Sequence, residues 1–285
     1  MASLSSRRSI SVTKLVFIMT STIQSISVFL NQFAPLTTAE SWDNVGLLLG
    51  DSAQEIDAIL TCLTLTPDVA AEAIERNVGL IVTHHPILFR AIQKITTDTP
   101  EGQMLLDLAA NRVAVYSPHT AFDSASKGIN QQWGEQLKLQ NIEPLRPFNE
   151  SELAEKSPGA GRCGDLPKSV SLNQFIEQVK EVCKIKQLQF VGDLNQEVNK
   201  VGIACGAAAE FMHEAATLDC DVLITGEARF HACLEARTKP ICLILVGHYA
   251  SERFACEQLA TVLLAAFAGL TVFASKIESD PIQFG

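Results

Sequence analysis

From residue 22 onward the chain alternates between two hydrophobic periods. Ile23, Ile26, Phe29, Leu30 and Phe33 recur at helical spacing, and Pro35 closes that segment. Short apolar runs bounded by turn formers follow at Val45–Leu49 and Ile56–Leu65 and predict strands. Thr66-Pro67 supplies an N-cap and a first-turn proline for a helix reaching Asn77, and Leu80–Thr83 reads as a buried strand. Residues 100–112 carry Met104, Leu105, Leu108 and Ala109 on one helical face, Val113–Tyr116 is a strand, and Asn130–Leu139 predicts a helix beyond Gly128. Ser171-Leu-Asn-Gln174 fits a capping box opening a helix to Lys184. Strands are expected at Leu188–Val191, Val201–Cys205, Val222–Thr225, Ile241–Val246 and Leu270–Ala274. A helix from Gly206 to about Leu218 and a long helix through Phe267 separate some of them.

This alternation predicts α/β construction, with the second half repeating the grammar of the first. Pro144, Pro147, Pro158, Gly159, Gly161 and Gly164 make the intervening stretch loop-like. The expected division is therefore an extension over residues 1–20, a first α/β lobe over 21–143, a connection over 144–166 and a second α/β lobe over 167–285.

Composition narrows the function. An apolar fraction of 47% with 19% charged residues is that of a compact protein rather than a disordered chain. A net charge of −10 without any Lys/Arg cluster argues against a nucleic-acid partner, and no apolar stretch is long enough for a membrane span. The eight cysteines have no paired spacing, so neither a zinc ribbon nor a disulfide framework is expected, and a reducing, cytoplasmic compartment fits. Arg7, Arg8 and Lys14 lie among serines with no acidic residue before Glu40. That composition suits a mitochondrial transit peptide, and equally an upstream extension ahead of a start at Met19.

Only six histidines occur, and two of them, His84 and His85, are adjacent at the end of a strand. Two further segments place a histidine and a carboxylate just past a strand, His119-x-x-x-Asp123 and His248-x-x-x-Glu252. In a helix such pairs share a face, and strand C-terminal ends are where α/β proteins gather ligands. Four imidazoles and two carboxylates form an N/O set suited to zinc, iron, manganese, nickel or cobalt, and six donors suit two divalent ions. His213 reads as structural or solvated. His231 is a weaker candidate for the same cleft, and Glu227 is a candidate partner for a ligand or a carboxylate satisfied by a helix dipole.

The blocks Trp42-Asp-Asn-Val-Gly46, Thr83-His-His-Pro86, His119-x-x-x-Asp123, Gly161-Arg-Cys-Gly164, Thr225-Gly-Glu227 and Gly247-His-Tyr-Ala-Ser-Glu252 resemble, in that order, the Nif-three-like family. Its members are often labelled GTP cyclohydrolase I type 2 homologues. The resemblance implies two lobes with a di-metal site in the cleft between them, and a toroidal hexamer built from dimers. Carried over by position, His85 and Asp123 would hold one ion, His84 and His248 the other, and Glu252 would bridge them, with His119 near the pair. The family's glycine-rich turn stands here as Gly206-Ala-Ala-Ala209, which puts a close backbone approach to a ligand in doubt. Two functions stay open. One is metal-dependent hydrolysis of a nucleotide or related small molecule, with Glu252 and His119 in the chemistry. The other is a non-catalytic metal-binding oligomer that contacts regulatory protein partners. No phosphate-binding loop is present, and no residue selects guanine.

Overall fold

The computed structural model describes residues 21–148 and 158–283. The Arg/Ser-rich N-terminal segment and its targeting or alternative-start readings lie outside the described residues. Among these, no helix is long and apolar enough to cross a membrane.

The strands assemble into two main mixed sheets within an α/β fold. In the first, Thr271–Ala274, Ala58–Cys62, Leu80–Thr83 and Ala114–Ser117 run parallel, and Gly46–Leu49 pairs antiparallel at one edge. In the second, Glu197–Ala204, Val222–Thr225 and Cys242–Leu245 run parallel. Gln189–Val191 flanks them antiparallel on one side, and Arg162–Ser171 followed by Gln140–Glu143 on the other. The central parallel strands read as unbroken apolar runs because both faces are covered. Along Leu80–Val82, for example, Leu80 and Val82 face one cluster and Ile81 the other.

One of these clusters is continuous across both sheets. Ile59 and Val82 of the first share it with Val201, Ile224 and Ile244 of the second, filled in by Ile26, Phe122, Trp133, Phe175 and Leu263 from helices. Two smaller clusters lie on the other face of each sheet, under Val69, Ala73 and Leu108 in one case and Met212, Ala215 and Ala236 in the other.

Helix ends follow the sequence signals. Thr22, Thr66 and Thr99 each accept a backbone N–H in the first turn, and Ser171 with Gln174 forms a reciprocal capping box.

Three placements differ from the sequence-based division. Gln140–Glu143, assigned to the first lobe, lies in the second sheet. Arg162–Ser171, read partly as connection, is a ten-residue strand. Its Gly164 and Pro167 mimic loop punctuation, and its register against Glu197–Ala204 shifts between Asp165 and Val170, where Pro167 is accommodated. Thr271–Ala274, assigned to the second lobe, returns to the first sheet and pairs with Ala58–Cys62. Pairing partners far apart in sequence leave no local trace, so these exchanges were not visible in the periodicity.

Candidate metal centre

Parallel strands place their last residues in register, so the segments that follow emerge side by side. In the first sheet Cys62 pairs with Thr83, and the ladder continues one step further: the His84 N–H donates to Cys62 O (2.9 Å) and the His85 N–H to Leu63 O (2.8 Å). Ser117 Oγ donates to His84 O at 2.7 Å, fixing the doublet against the next strand. In the second sheet Ala204, Thr225 and Leu245 align, and Gly206, Glu227 and His248 leave from that edge. Here Gly226 N–H and Glu227 N–H both donate to Gly206 O. The short helices His119–Ser124 and His248–Glu252 then start directly beyond their strands. Residue pairs four apart fall on one face in each, including across Thr120-Ala-Phe122, where helix was left open by the sequence.

These ends bring all six candidate residues together. His85 Nε2 lies 3.1 Å from Glu252 Oε2 and 3.2 Å from His248 Nε2, and His248 Nε2 is 3.2 Å from Glu252 Oε2. Each side of that triangle is close to the roughly 3.3 Å edge expected between ligand atoms around a tetrahedral ion with bonds near 2.0–2.1 Å. On the other side of Glu252, His84 Nε2 is 3.6 Å from Asp123 Oδ1 and 3.9 Å from the same Glu252 oxygen. Two sets of three donors, His85/His248/Glu252 and His84/Asp123/Glu252, thus share one carboxylate. His84 and His85 also form a third close group with His119.

The pairing differs from the one the resemblance implies, which joins His85 to Asp123 and His84 to His248. His84 and His85 lie in the bend just past Leu80–Thr83, and their rings, 5.2 Å apart, meet different neighbours. The His84 ring turns toward Phe122, 6.3 Å between centroids, and the His85 ring toward His248, 5.1 Å.

The surroundings fit cation ligands. His84 is buried, and neither of its ring nitrogens has a hydrogen-bond partner among the described residues. Burial, against the pull of Glu252, holds it well below the usual imidazole range, so the ring is neutral and keeps a free lone pair. Glu252 is also buried; burial alone would raise its pKa, but hydrogen bonds from His248 and His85 keep it below the usual carboxylate range. The hydrogen bond to Glu252 pushes His248 up to about 9. Asp123 rises to about 7 through burial and the Glu252 charge beside it. A buried cluster that neutralises one carboxylate and retains a proton on a histidine is short of positive charge, which divalent ions would supply.

A second ring of residues orients these donors. His248 Nδ1–H donates to Glu227 Oε1 at 2.9 Å, the carboxylate–imidazole contact typical behind metal-binding histidines. His85 Nδ1 lies 2.7 Å from Thr64 Oγ1, and Cys205 Sγ is 3.2 Å from Asp123 Oδ1. His119 Nδ1–H donates to Asp43 Oδ1 at 2.8 Å, and Thr120 donates to the other Asp43 oxygen from its N–H and its hydroxyl. Burial, the largest single influence, favours a neutral His119, but the Asp43 hydrogen bond and the charges of Asp123, Asp43 and Glu252 together outweigh it and raise the pKa.

Asp43 lies in the Trp42–Gly46 block, but no sequence signal assigns it, Thr64 or Cys205 to the site; Asp43 is 76 residues from His119, and no spacing rule connects them. Glu227, a candidate partner for a ligand, is hydrogen-bonded to His248. His213 is an exposed partner of Glu235 and Lys239, and exposed His231 lies outside the three donor groups. Gly206 does make a close approach, toward a side chain. Its φ is +70°, and a Cβ there would stand 2.5 Å from Glu252 Oε1.

A cavity of about 540 Å³ opens over this cluster, with His119, Asp123, His248 and Glu252 in its wall.

Residues 21–281 match the family model described as Duf34/NIF3 (NGG1p interacting factor 3). A Clostridium acetobutylicum protein named GTP cyclohydrolase 1 type 2 homolog is 35% identical over 81% of this chain and 85% of its own. The Schizosaccharomyces pombe protein NIF3 homolog is 32% identical over 86% of this chain and 91% of its own. Among solved structures, one from Staphylococcus aureus superposes with a TM-score of 0.82 at 25% identity, covering 93% of this chain and 99% of that one. A Bacillus cereus protein related to NIF3 superposes with a TM-score of 0.84 at 21% identity over 93% and 99%, a likeness of fold. With the match spanning the strands, the histidine doublet and both histidine–carboxylate helices, the chain belongs to the Duf34/NIF3 family.

Proposed function

We propose that this protein is a metal-dependent hydrolase acting on a nucleotide or related small molecule, with two divalent ions at the strand ends between two lobes. The observation that carries the reading is the pair of three-donor sets sharing Glu252, one of them with edges of 3.1–3.2 Å. His85, His248 and Glu252 would hold one ion, and His84, Asp123 and Glu252 the other. Bound divalent ions supply Lewis acidity and a nucleophile at neutral pH.

The chain's own residues prepare that chemistry. Glu227 and Thr64 fix the outward nitrogens of His248 and His85, leaving Nε2 of each aimed inward. Asp43 holds the Nδ1 proton of His119, so the Nε2 of that ring is the atom free to accept or return a proton at the cavity wall. The cavity suits a small molecule rather than a polymer groove.

The test is metal analysis of protein purified without added metal, paired with a hydrolase screen across nucleotides and phosphoesters. More than one ion per chain and metal-dependent turnover are expected; less than one ion per chain overturns the dinuclear reading. A second reading, a non-catalytic metal-binding oligomer with protein partners, draws on the family description, which names an interacting factor. The Glu252→Gln variant separates the two. Loss of metal and turnover with the oligomer intact favours chemistry, and collapse of the oligomer favours a structural metal. The toroidal hexamer implied by the resemblance is read in the same experiment by light scattering.

A further inference from the structure

The cavity wall carries two large aromatic side chains that the metal chemistry does not use. Trp42 is 59% exposed and Phe89 is 51% exposed. Their rings and that of His119 stand nearly perpendicular to one another. Centroids are 5.9 Å apart for Trp42–Phe89, 6.1 Å for Trp42–His119 and 6.3 Å for Phe89–His119, at interplanar angles of 82°, 74° and 86°. His119 in turn packs 5.2 Å from the His84 ring, so this aromatic corner abuts the donor cluster.

The corner is held open by its neighbours. Asp43, next to Trp42, is fixed by His119 and Thr120. Asn44 donates from its side chain to Leu88 O at 3.1 Å, tying the two aromatic-bearing segments together. Leu88 has a φ of +58°, a left-handed conformation costly for a leucine, immediately before an exposed Phe89. The backbone thus holds apolar rings toward solvent when collapse would bury them. On the same cavity wall Glu40 and Arg146, paired at 3.9 Å, add an acceptor and a donor.

Resting on the hydrolase reading above, we propose that Trp42 and Phe89 are the specificity-determining wall of this site. They stack the planar ring of a heteroaromatic substrate, of nucleobase type, while its reactive portion faces the metal cluster. A flat ring fits a perpendicular aromatic corner, and ring nitrogens and exocyclic groups match the polar pair beside it. A purely aliphatic substrate would leave the aromatic corner without a partner.

The chain offers a clean probe, because it has two tryptophans and the other, Trp133, is 1% exposed. Changes in solvent-sensitive tryptophan emission therefore report Trp42. The experiment titrates adenosine and guanosine, with ribose 5-phosphate as the non-aromatic control, into the assembled protein as purified and after zinc is added. Saturable quenching by the nucleosides and none by ribose 5-phosphate is expected. Isothermal titration should show binding weakened roughly tenfold or more in Trp42→Leu and less in Phe89→Leu, with metal content unchanged. Three results overturn the proposal: acrylamide failing to reach Trp42 in the assembled protein, no saturable quenching, or Trp42→Leu binding nucleosides as tightly as the parent. The hydrolase reading fails separately. Nucleoside binding that depends on Trp42, without turnover of any substrate in the screen, retains the stacking wall and rejects the hydrolase. Turnover whose KM is unaffected by Trp42→Leu does the reverse.

Discussion

At the scale of single residues, the centre is defined by what each donor is denied. Glu252 touches His85 and His248, and the absence of a side chain at Gly206 leaves the room its carboxylate occupies. Gly206→Ala combines a Cβ clash with a positive φ, and is expected to destabilise the fold by about 1–3 kcal/mol and to lower metal content. Chemical denaturation and elemental analysis on one preparation would check both effects. The pH behaviour follows from His248. Its pKa rises from the ordinary 6.5 to about 9 in the metal-free protein, chiefly through the Glu252 hydrogen bond. That contact stabilises the metal-free fold fully below 6.5, and the benefit is lost as pH rises through about 9. A metal must displace the same proton, so metal affinity is expected to rise by up to about tenfold per pH unit across this window. Calorimetry in buffers of different ionisation enthalpy should register proton release; a pH-independent affinity would contradict it.

At the scale of elements, short helices carry four of the six candidate donors, and their stability is borrowed. His248–Glu252 spans little more than one turn, too short to persist alone. It is held by Trp133, whose buried Nε1–H donates to Ser251 O at 2.7 Å, and by Ser251 Oγ, which accepts from Gly206 N–H. Trp133→Phe keeps most of the packing and removes that hydrogen bond. It is expected to cost about 1–3 kcal/mol and to weaken metal retention. By contrast, Ser171→Ala removes a capping box on a helix remote from the centre. It should cost about 1 kcal/mol in thermal or urea unfolding and leave metal content unchanged. A metal loss in the second variant equal to that in the first would show that global stability, rather than this local support, governs the site.

At the scale of the whole molecule, the chain's return to the first sheet matters most. Thr271–Ala274 covers the edge of Ala58–Cys62, whose five residues are all buried. Just beyond it Glu278 accepts from Leu63 N–H (3.0 Å) and Thr64 N–H (2.6 Å) and pairs with Arg253 at 2.8 Å. One carboxylate therefore joins the loop holding His85's partner Thr64 to the residue after Glu252. Glu278→Ala is expected to destabilise by about 1–3 kcal/mol and to accelerate metal loss to a chelator, read by competition with a chromogenic chelator. Unchanged metal release would remove Glu278 from any role in the centre. A buried guanidinium works similarly at the other side. Arg162 bonds to Gly159 O, Gly161 O and Ala125 O, joining the second sheet to the end of the helix that carries Asp123.

Much of this was readable in the residues. Continuous apolar runs ending in His84-His85, Thr225-Gly-Glu227 and Gly247-His248 required strands buried on both faces, and strands of that kind deliver their ends to one edge. Helical spacing alone put His248 and Glu252 on one face. Thr and Ser caps marked the helix starts, because a cap satisfies the helix's own backbone and is a local matter. Tertiary structure decided which sheet each strand joined, since Gln140–Glu143 pairs across the Pro/Gly-rich stretch and Thr271–Ala274 pairs with Ala58–Cys62 from the far end of the chain, and no periodicity encodes either. It also decided how the donors divide. Sequence order puts His84 beside His85, and their rings stay 5.2 Å apart, yet His84 meets Asp123 and His85 meets His248. The sequence marked the candidate donors through their chemistry; the crossing of the chain between two sheets chose their neighbours, because pairing at that range depends on the shape of the shared core.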